Sequence, residues 1–179
     1  MIRAILALAV AEDWEIQQMD VKGAYLNGKL KEEIYMSQPK GFDNGTSHLC
    51  WLIKTLYGLK QSGREWNEEL NSKLSSINFD RLCSDLCVYI RRTGSTIEII
   101  TVWVDNLLLF MNTKDCMEYL ERLFDITDLG EPNKLVGIEF TRDQECRTLT
   151  IRQTKYIESI LKNMVCRMPT QCLPCLIQM

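Results

Sequence analysis

The sequence has a single histidine, four prolines, and no apolar run near the roughly 20 residues that a membrane-spanning helix needs. A transmembrane helix is therefore excluded, and His48 stands alone as a possible imidazole ligand. The Cys172-Leu-Pro-Cys175 pair is half of a zinc knuckle. No second pair follows at suitable spacing and His48 is far away, so zinc is not expected. A basic excess is also missing: 21 lysines and arginines face 24 aspartates and glutamates, giving a net charge of -3 and a pI near 5.3. Stand-alone nucleic-acid binders usually carry the opposite balance, so any such role must rest on local positive patches or on parts beyond this chain. There are no repeats and no low-complexity linker. What remains, 179 residues at 46% apolar and 25% charged, suffices for one domain with a real core and hardly for two.

The N-terminal stretch "MIRAILALAVAED" can be read in two ways. Arg3, a short apolar run and Ala-Leu-Ala steps imitate a signal peptide, and eight cysteines would suit secretion. The cysteines lack the spacing of a small disulfide scaffold, however, which favours a buried or amphipathic helix over Ile2–Ala11 and an intracellular protein.

Periodicity and turn residues give the remaining elements. A strand runs through "WEIQQMDV" to Asp20, and a short strand lies around Ile34–Ser37. "HLCWLIKTLYGLKQ" is a strand entering a glycine loop, and Ser62 is placed to cap a helix carrying Trp66, Leu70 and Leu74. "LCVYIRR" and "IEIITVWV" flank a turn at Thr93-Gly94-Ser95, and "NLLLF" is the next strand. Thr113 and Asp115 open a helix, "CMEYLERLF". A last hairpin, "KLVGIEFTRD" with "RTLTIRQ", precedes a final helix, "KYIESILKNM". The order βαββαβ with antiparallel hairpins predicts an α+β fold with helices on one face of the sheet.

One stretch asks for an explanation. "VWVDNLLLF" places Asp105 and Asn106 inside an apolar run, although an unpaired buried carboxylate costs several kcal/mol. A tight turn that exposes Asp105 at the edge of the sheet would avoid that cost. Asp20, in "QQMDVKGAY", ends a strand before a turn at Gly23. Two acids delivered to one edge can bind a divalent metal through oxygen, and two metals about 4 Å apart can run phosphoryl chemistry. Two ordinary turn aspartates remain the alternative at this level.

Longer motifs say more. "QMDVKGAYLNGKLKEEIYMSQPKGF", "LIKTLYGLKQSGREW" and "WVDNLLLF", continued by "DITDLGEPNKLVGIEF" and "QTKYIESILKNM", resemble the reverse transcriptase of copia-type LTR retrotransposons over about Ile2 to Met164. The resemblance implies a polymerase palm with part of the fingers over 1–164, followed by an irregular tail over 165–179. It also implies RNA-directed DNA synthesis with Mg²⁺, deoxynucleoside triphosphates and an RNA or DNA template-primer, as part of a Pol polyprotein. On matching positions Asp20 and Asp105 would be the catalytic acids and metal ligands, with the Val21 carbonyl a further ligand. Tyr25 would lie under the incoming sugar and reject a ribose 2′-OH; as a bare residue it reads as a core aromatic. Gly58, Lys60 and Gln61 would line the nascent pair, although Lys60 also suits a solvated loop. Val136 and Gly137 would support the primer end, and Cys87 would fill a small buried position.

The likeness breaks in three places. The family's Tyr-Val-Asp-Asp is here Trp103-Val104-Asp105-Asn106, so one charge is missing where Mg²⁺ prefers charged oxygen. The basic finger residues that clamp a triphosphate would lie upstream, which implies a truncated copy with weak or no activity. The tail suggests a frameshift near Met164–Cys166, because another frame through Met168–Pro174 can spell Ala-Asn-Pro-Val-Ser-Thr, the family's usual continuation. The competing expectations are a non-catalytic nucleic-acid-binding or assembly fragment and a small secreted cysteine-rich protein. Surfaces left by missing parts would favour self-association.

Overall fold

The computed structural model describes residues 1–112 and 116–165. The tail with Cys172 and Cys175, and the helix-opening positions Thr113 and Asp115, lie outside the described residues. The chain forms two compact units, Met1–Glu131 and Pro132–Met179.

In the first unit, helix α1 (Ile2–Ala11) leads into strand β1 (Glu15–Val21). A 3₁₀ turn over Ala24–Asn27 follows, then β2 (Tyr35–Met36) and β3 (Cys50–Trp51), which pair as a small two-stranded arm. Helix α2 (Ser62–Ser76) precedes β4 (Asp80–Arg81), β5 (Val88–Thr93), β6 (Thr96–Trp103) and β7 (Asn106–Met111). Helix α3 (Cys116–Leu123) and strand β8 (Ile126–Gly130) complete the unit. The main sheet has the order β4-β5-β6-β7-β1-β8, antiparallel throughout. The expected mixed α+β class with antiparallel hairpins is found.

Alternation along the central strands explains how the sheet is covered. Met19 and Val21 of β1 and Leu107, Leu109 and Met111 of β7 share one core with Trp66, Leu70 and Leu74 of α2 and with Leu120 and Phe124. Trp66, Leu70 and Leu74 recur every four residues, so they form one stripe on α2. Leu108 and Phe110 point the other way and are equally buried. Helix α1 contacts β7, and its buried Ile5, Leu6, Ala9 and Val10 lie outside the α2–α3 core. The expectation of helices on one face is thus corrected. A strand apolar on both faces needs cover on both, and α1 supplies the second layer.

Two local expectations also change. Ser62 does not cap α2: Gln61 is the flanking residue, and the Ser62 hydroxyl donates to the Leu56 carbonyl at 2.5 Å. Cys87 is exposed rather than buried. Across β5 and β6, Glu98 is 2% exposed and is held by Arg91, whose Nη2 donates to it at 2.9 Å. The guanidinium lies over the rings of Phe79 and Tyr119, 4.7 and 4.9 Å from their centroids.

The second unit holds β9 (Lys134–Leu135), β10 (Ile138–Asp143), β11 (Thr148–Arg152) and helix α4 (Thr154–Val165), with the strands in the order β11-β10-β9. The last hairpin and final helix stand where periodicity placed them. No described helix is long and apolar enough to cross a membrane.

Candidate active site

The apolar run around Asp105 folds back on itself. Trp103 pairs with Asn106, so Val104 and Asp105 alone form the turn between β6 and β7. Val104 has φ +59° and Asp105 does not share the positive φ, the pattern of a II′ turn whose first central position favours glycine. Placing β-branched Val104 there stores strain, which the surroundings must hold. They do so through α2: the indole Nε1 of Trp66 donates to the Val104 carbonyl at 2.7 Å. The turn therefore resolves the puzzle of the acid in an apolar stretch, but not at an edge strand. It caps two interior strands, and Asp105 is half-buried.

β1 lies beside β7 with Asp20 opposite Asn106, and the Val21 amide donates to the Asp105 carbonyl at 2.8 Å. The two acids are thereby brought together. Burial first, and the Asp105 charge second, push the Asp20 carboxyl above its ordinary value. Two carboxylates brought to one end of the sheet offer the oxygen donors a hard divalent cation takes, so their chemistry fits the Mg²⁺ that the motifs imply. Among the described residues no group of three or more Cys, His, Asp or Glu side chains converges in metal-binding fashion. The resemblance of the motifs implies a third carboxylate at position 106. Asn106 instead accepts from Gln18 Nε2 at 2.9 Å and donates through Nδ2 to Asp105 Oδ1 at 2.9 Å.

Gly23, at φ +57°, turns the chain out of β1 and into the 3₁₀ turn that carries Tyr25. The Tyr25 ring lies against Tyr57, centroids 4.8 Å apart, and the Thr55 hydroxyl donates to the Tyr25 carbonyl. Gly28 is pinched: a Cβ there would stand 2.9 Å from Thr55 Oγ1 and 3.0 Å from the Trp66 backbone nitrogen. The Tyr57–Gly58 loop is thus tied to the turn after Asp20. Within it Gly58 has φ +98°, Lys60 is exposed, and Gln61 donates its amide to Glu32 at 2.7 Å. Val136 and Gly137 belong to the second unit, where φ values of +49° and +79° make them the two-residue turn between β9 and β10.

Sequence reading passed over three contributors: Gln18, the Trp66 indole N–H, and the Thr55 hydroxyl. Gln18 was findable, since it sits two residues before Asp20 and so faces the same side of β1. The Trp66 bond was not, because its core spacing concealed a polar duty.

The match to known sequences covers the whole chain. Residues 1–179 fit the family model described as reverse transcriptase (RNA-dependent DNA polymerase). The chain belongs to the reverse transcriptase family. It is 40% identical over 168 residues to the retrovirus-related Pol polyprotein from transposon TNT 1-94 of Nicotiana tabacum, spanning 90% of this chain and 13% of that protein. It is 35% identical over 176 residues to the corresponding polyprotein from transposon RE1 of Arabidopsis thaliana, spanning 94% of this chain and 12% of that one. A putative transposon Ty5-1 protein of Saccharomyces cerevisiae is 35% identical over 126 residues, or 67% of this chain and 41% of its own length. The copia-type resemblance in the motifs therefore holds. This reverse transcriptase sequence spans about an eighth of the plant polyproteins it matches.

Proposed function

We propose that the chain is the palm, with part of the fingers, of an intracellular reverse transcriptase that extends a primer 3′-OH with deoxynucleotides on an RNA or DNA template. We further propose that Asn106 leaves this copy with weak or no activity. The observation carrying the proposal is the meeting of Asp20 and Asp105 at the β1–β7 pair, where Asp20 stands opposite Asn106 and the Val21 amide donates to the Asp105 carbonyl.

When bound there, two Mg²⁺ ions would activate the primer oxygen and neutralise the leaving pyrophosphate. The chain's own residues do the positioning. Asp20 and Asp105, with the Val21 carbonyl, would hold the cations, and the sheet fixes their spacing before substrate arrives. Tyr25, backed by Tyr57 and tethered through Thr55, would lie under the sugar and exclude a 2′-OH by shape. Gly58, Lys60 and Gln61 would border the nascent pair, with Lys60 the exposed cation closest in sequence to that glycine. The Val136–Gly137 turn would bear on the primer end. Exposed Trp51 of β3, with Phe42 and Ile53 in the adjoining loops, would favour self-association or cover by other polyprotein segments.

A second reading, a non-catalytic template-primer binder with the same fold, is favoured by Asn106 alone. The loss of a charged ligand touches chemistry more than binding. Primer extension on an RNA template with Mg²⁺ and with Mn²⁺ separates the two. Incorporation that rises at least tenfold in Asn106→Asp and vanishes in Asp105→Asn supports the enzyme. Salt-sensitive binding without incorporation in any variant supports the binder.

A further inference from the structure

We infer that Gln18 is a positioning residue that sets the direction of the Asn106 amide, making position 106 a hydrogen-bond donor to Asp105 instead of an oxygen ligand for a cation. The inference rests on the metal-site reading above and deepens it.

The polarity of the network follows from chemistry. An ionised Asp105 carboxylate can only accept, so the group of Asn106 that faces it must be the NH₂. That leaves Asn106 Oδ1 facing β1, where it needs a donor. Gln18 stands two residues before Asp20 on the same face of the strand and is 8% exposed. It supplies Nε2 at 2.9 Å, and Asn106 Nδ2 then reaches Asp105 Oδ1 at 2.9 Å. Each bond fixes the next. The side-chain oxygen of Asn106 already accepts from Gln18, and its NH₂ faces the carboxylate that would hold the cation.

Gln18 would behave differently beside an aspartate. Two ionised carboxylates at 105 and 106 cannot bond each other, and Gln18 Nε2 would then orient a true ligand from behind. Outer partners of this kind typically contribute about 10–100-fold to metal affinity. The same glutamine should therefore support metal binding in one background and withhold a ligand in the other.

The test is a four-way comparison in the 179-residue chain: Gln18→Met, Asn106→Asp, the pair together, and the unaltered protein. Mn²⁺ dissociation constants come from calorimetry, and thermal unfolding checks folding. Methionine keeps the length of the buried side chain and removes its donor. The expected result is a sign difference. Gln18→Met leaves Mn²⁺ affinity unchanged or tightens it where 106 is Asn, and weakens it about tenfold where 106 is Asp. Equal weakening in both backgrounds, or no change in either, overturns the inference.

A metal-free measurement guards against a Gln18→Met chain that fails to fold. In the unaltered protein, side-chain amide protons of Gln18 and Asn106 should exchange at least tenfold more slowly than those of the exposed Asn44. Free exchange at both overturns the Gln18 inference whatever the metal does. Protected amides with no Mn²⁺ binding instead sink the metal-site reading and leave the network standing.

Discussion

The indole of Trp66 donates a 2.7 Å hydrogen bond to the carbonyl of Val104, so the helix behind the sheet holds the turn that presents Asp105. Trp66 is 3% exposed and packs edge-on to Phe124, ring centroids 5.5 Å apart. One residue therefore serves both the core and the site.

Replacing Trp66 by Phe separates those duties. Phenylalanine retains most of the ring packing but cannot donate, so global stability should fall by about 1–2 kcal/mol, mixing a lost hydrogen bond with a small cavity. Urea unfolding reads that loss. Amide exchange at Val104 to Asn106 should accelerate more than exchange in β5, which a uniform destabilisation would not produce.

Val104→Gly is expected to work in the opposite direction locally. A valine at φ +59° is strained, with a typical cost of about 1–3 kcal/mol, whereas glycine accepts that φ freely. The unfolded-chain entropy of glycine offsets about 0.5–1 kcal/mol of the gain. Net stability in denaturant titration should therefore be unchanged or raised by about 1 kcal/mol, where most turn-to-glycine changes lower it.

Asp20 should make the metal-free chain more stable in mild acid than at neutral pH. Its folded-state pKa is raised, by burial first and then by Asp105, so the folded chain binds the proton more tightly than the unfolded one. Stability gained from this group therefore appears as pH falls through the folded value, and it levels off below the ordinary aspartate range. Asp20→Asn should raise the neutral-pH melting temperature and flatten that part of the pH profile. Thermal melts from pH 4 to 7, without divalent ions, check both.

Much of this was legible in the sequence because the signals were local. The antiparallel hairpins, the Thr93–Ser95 turn and the stripe on α2 follow from periodicity, although four strands, β4 to β7, stand between α2 and α3 where the βαββαβ order has two. Strand β8 was not foreseen: "ITDLG" is short and sets two polar residues side by side instead of alternating, and only pairing with β1 at the sheet edge makes it a strand. The two-sided cover of β7 escaped for a similar reason. A run of five apolar residues shows burial but not which helix lies on which side. At the site, the turn at Asp105 was readable, whereas the Gln18–Asn106–Asp105 chain depends on a register between strands 88 residues apart in sequence.

In the proposed site Asp20 and Asp105 converge on one divalent cation. Fe²⁺ substituted for Mg²⁺, with ascorbate and peroxide, cuts the backbone close to where the ion sits. Two clusters of cleavage are expected, around residues 20–22 and 104–106, both suppressed by excess Mg²⁺ and both lost in Asp20→Asn. Cleavage at only one of these segments, or cutting that persists in Asp20→Asn, would contradict that convergence.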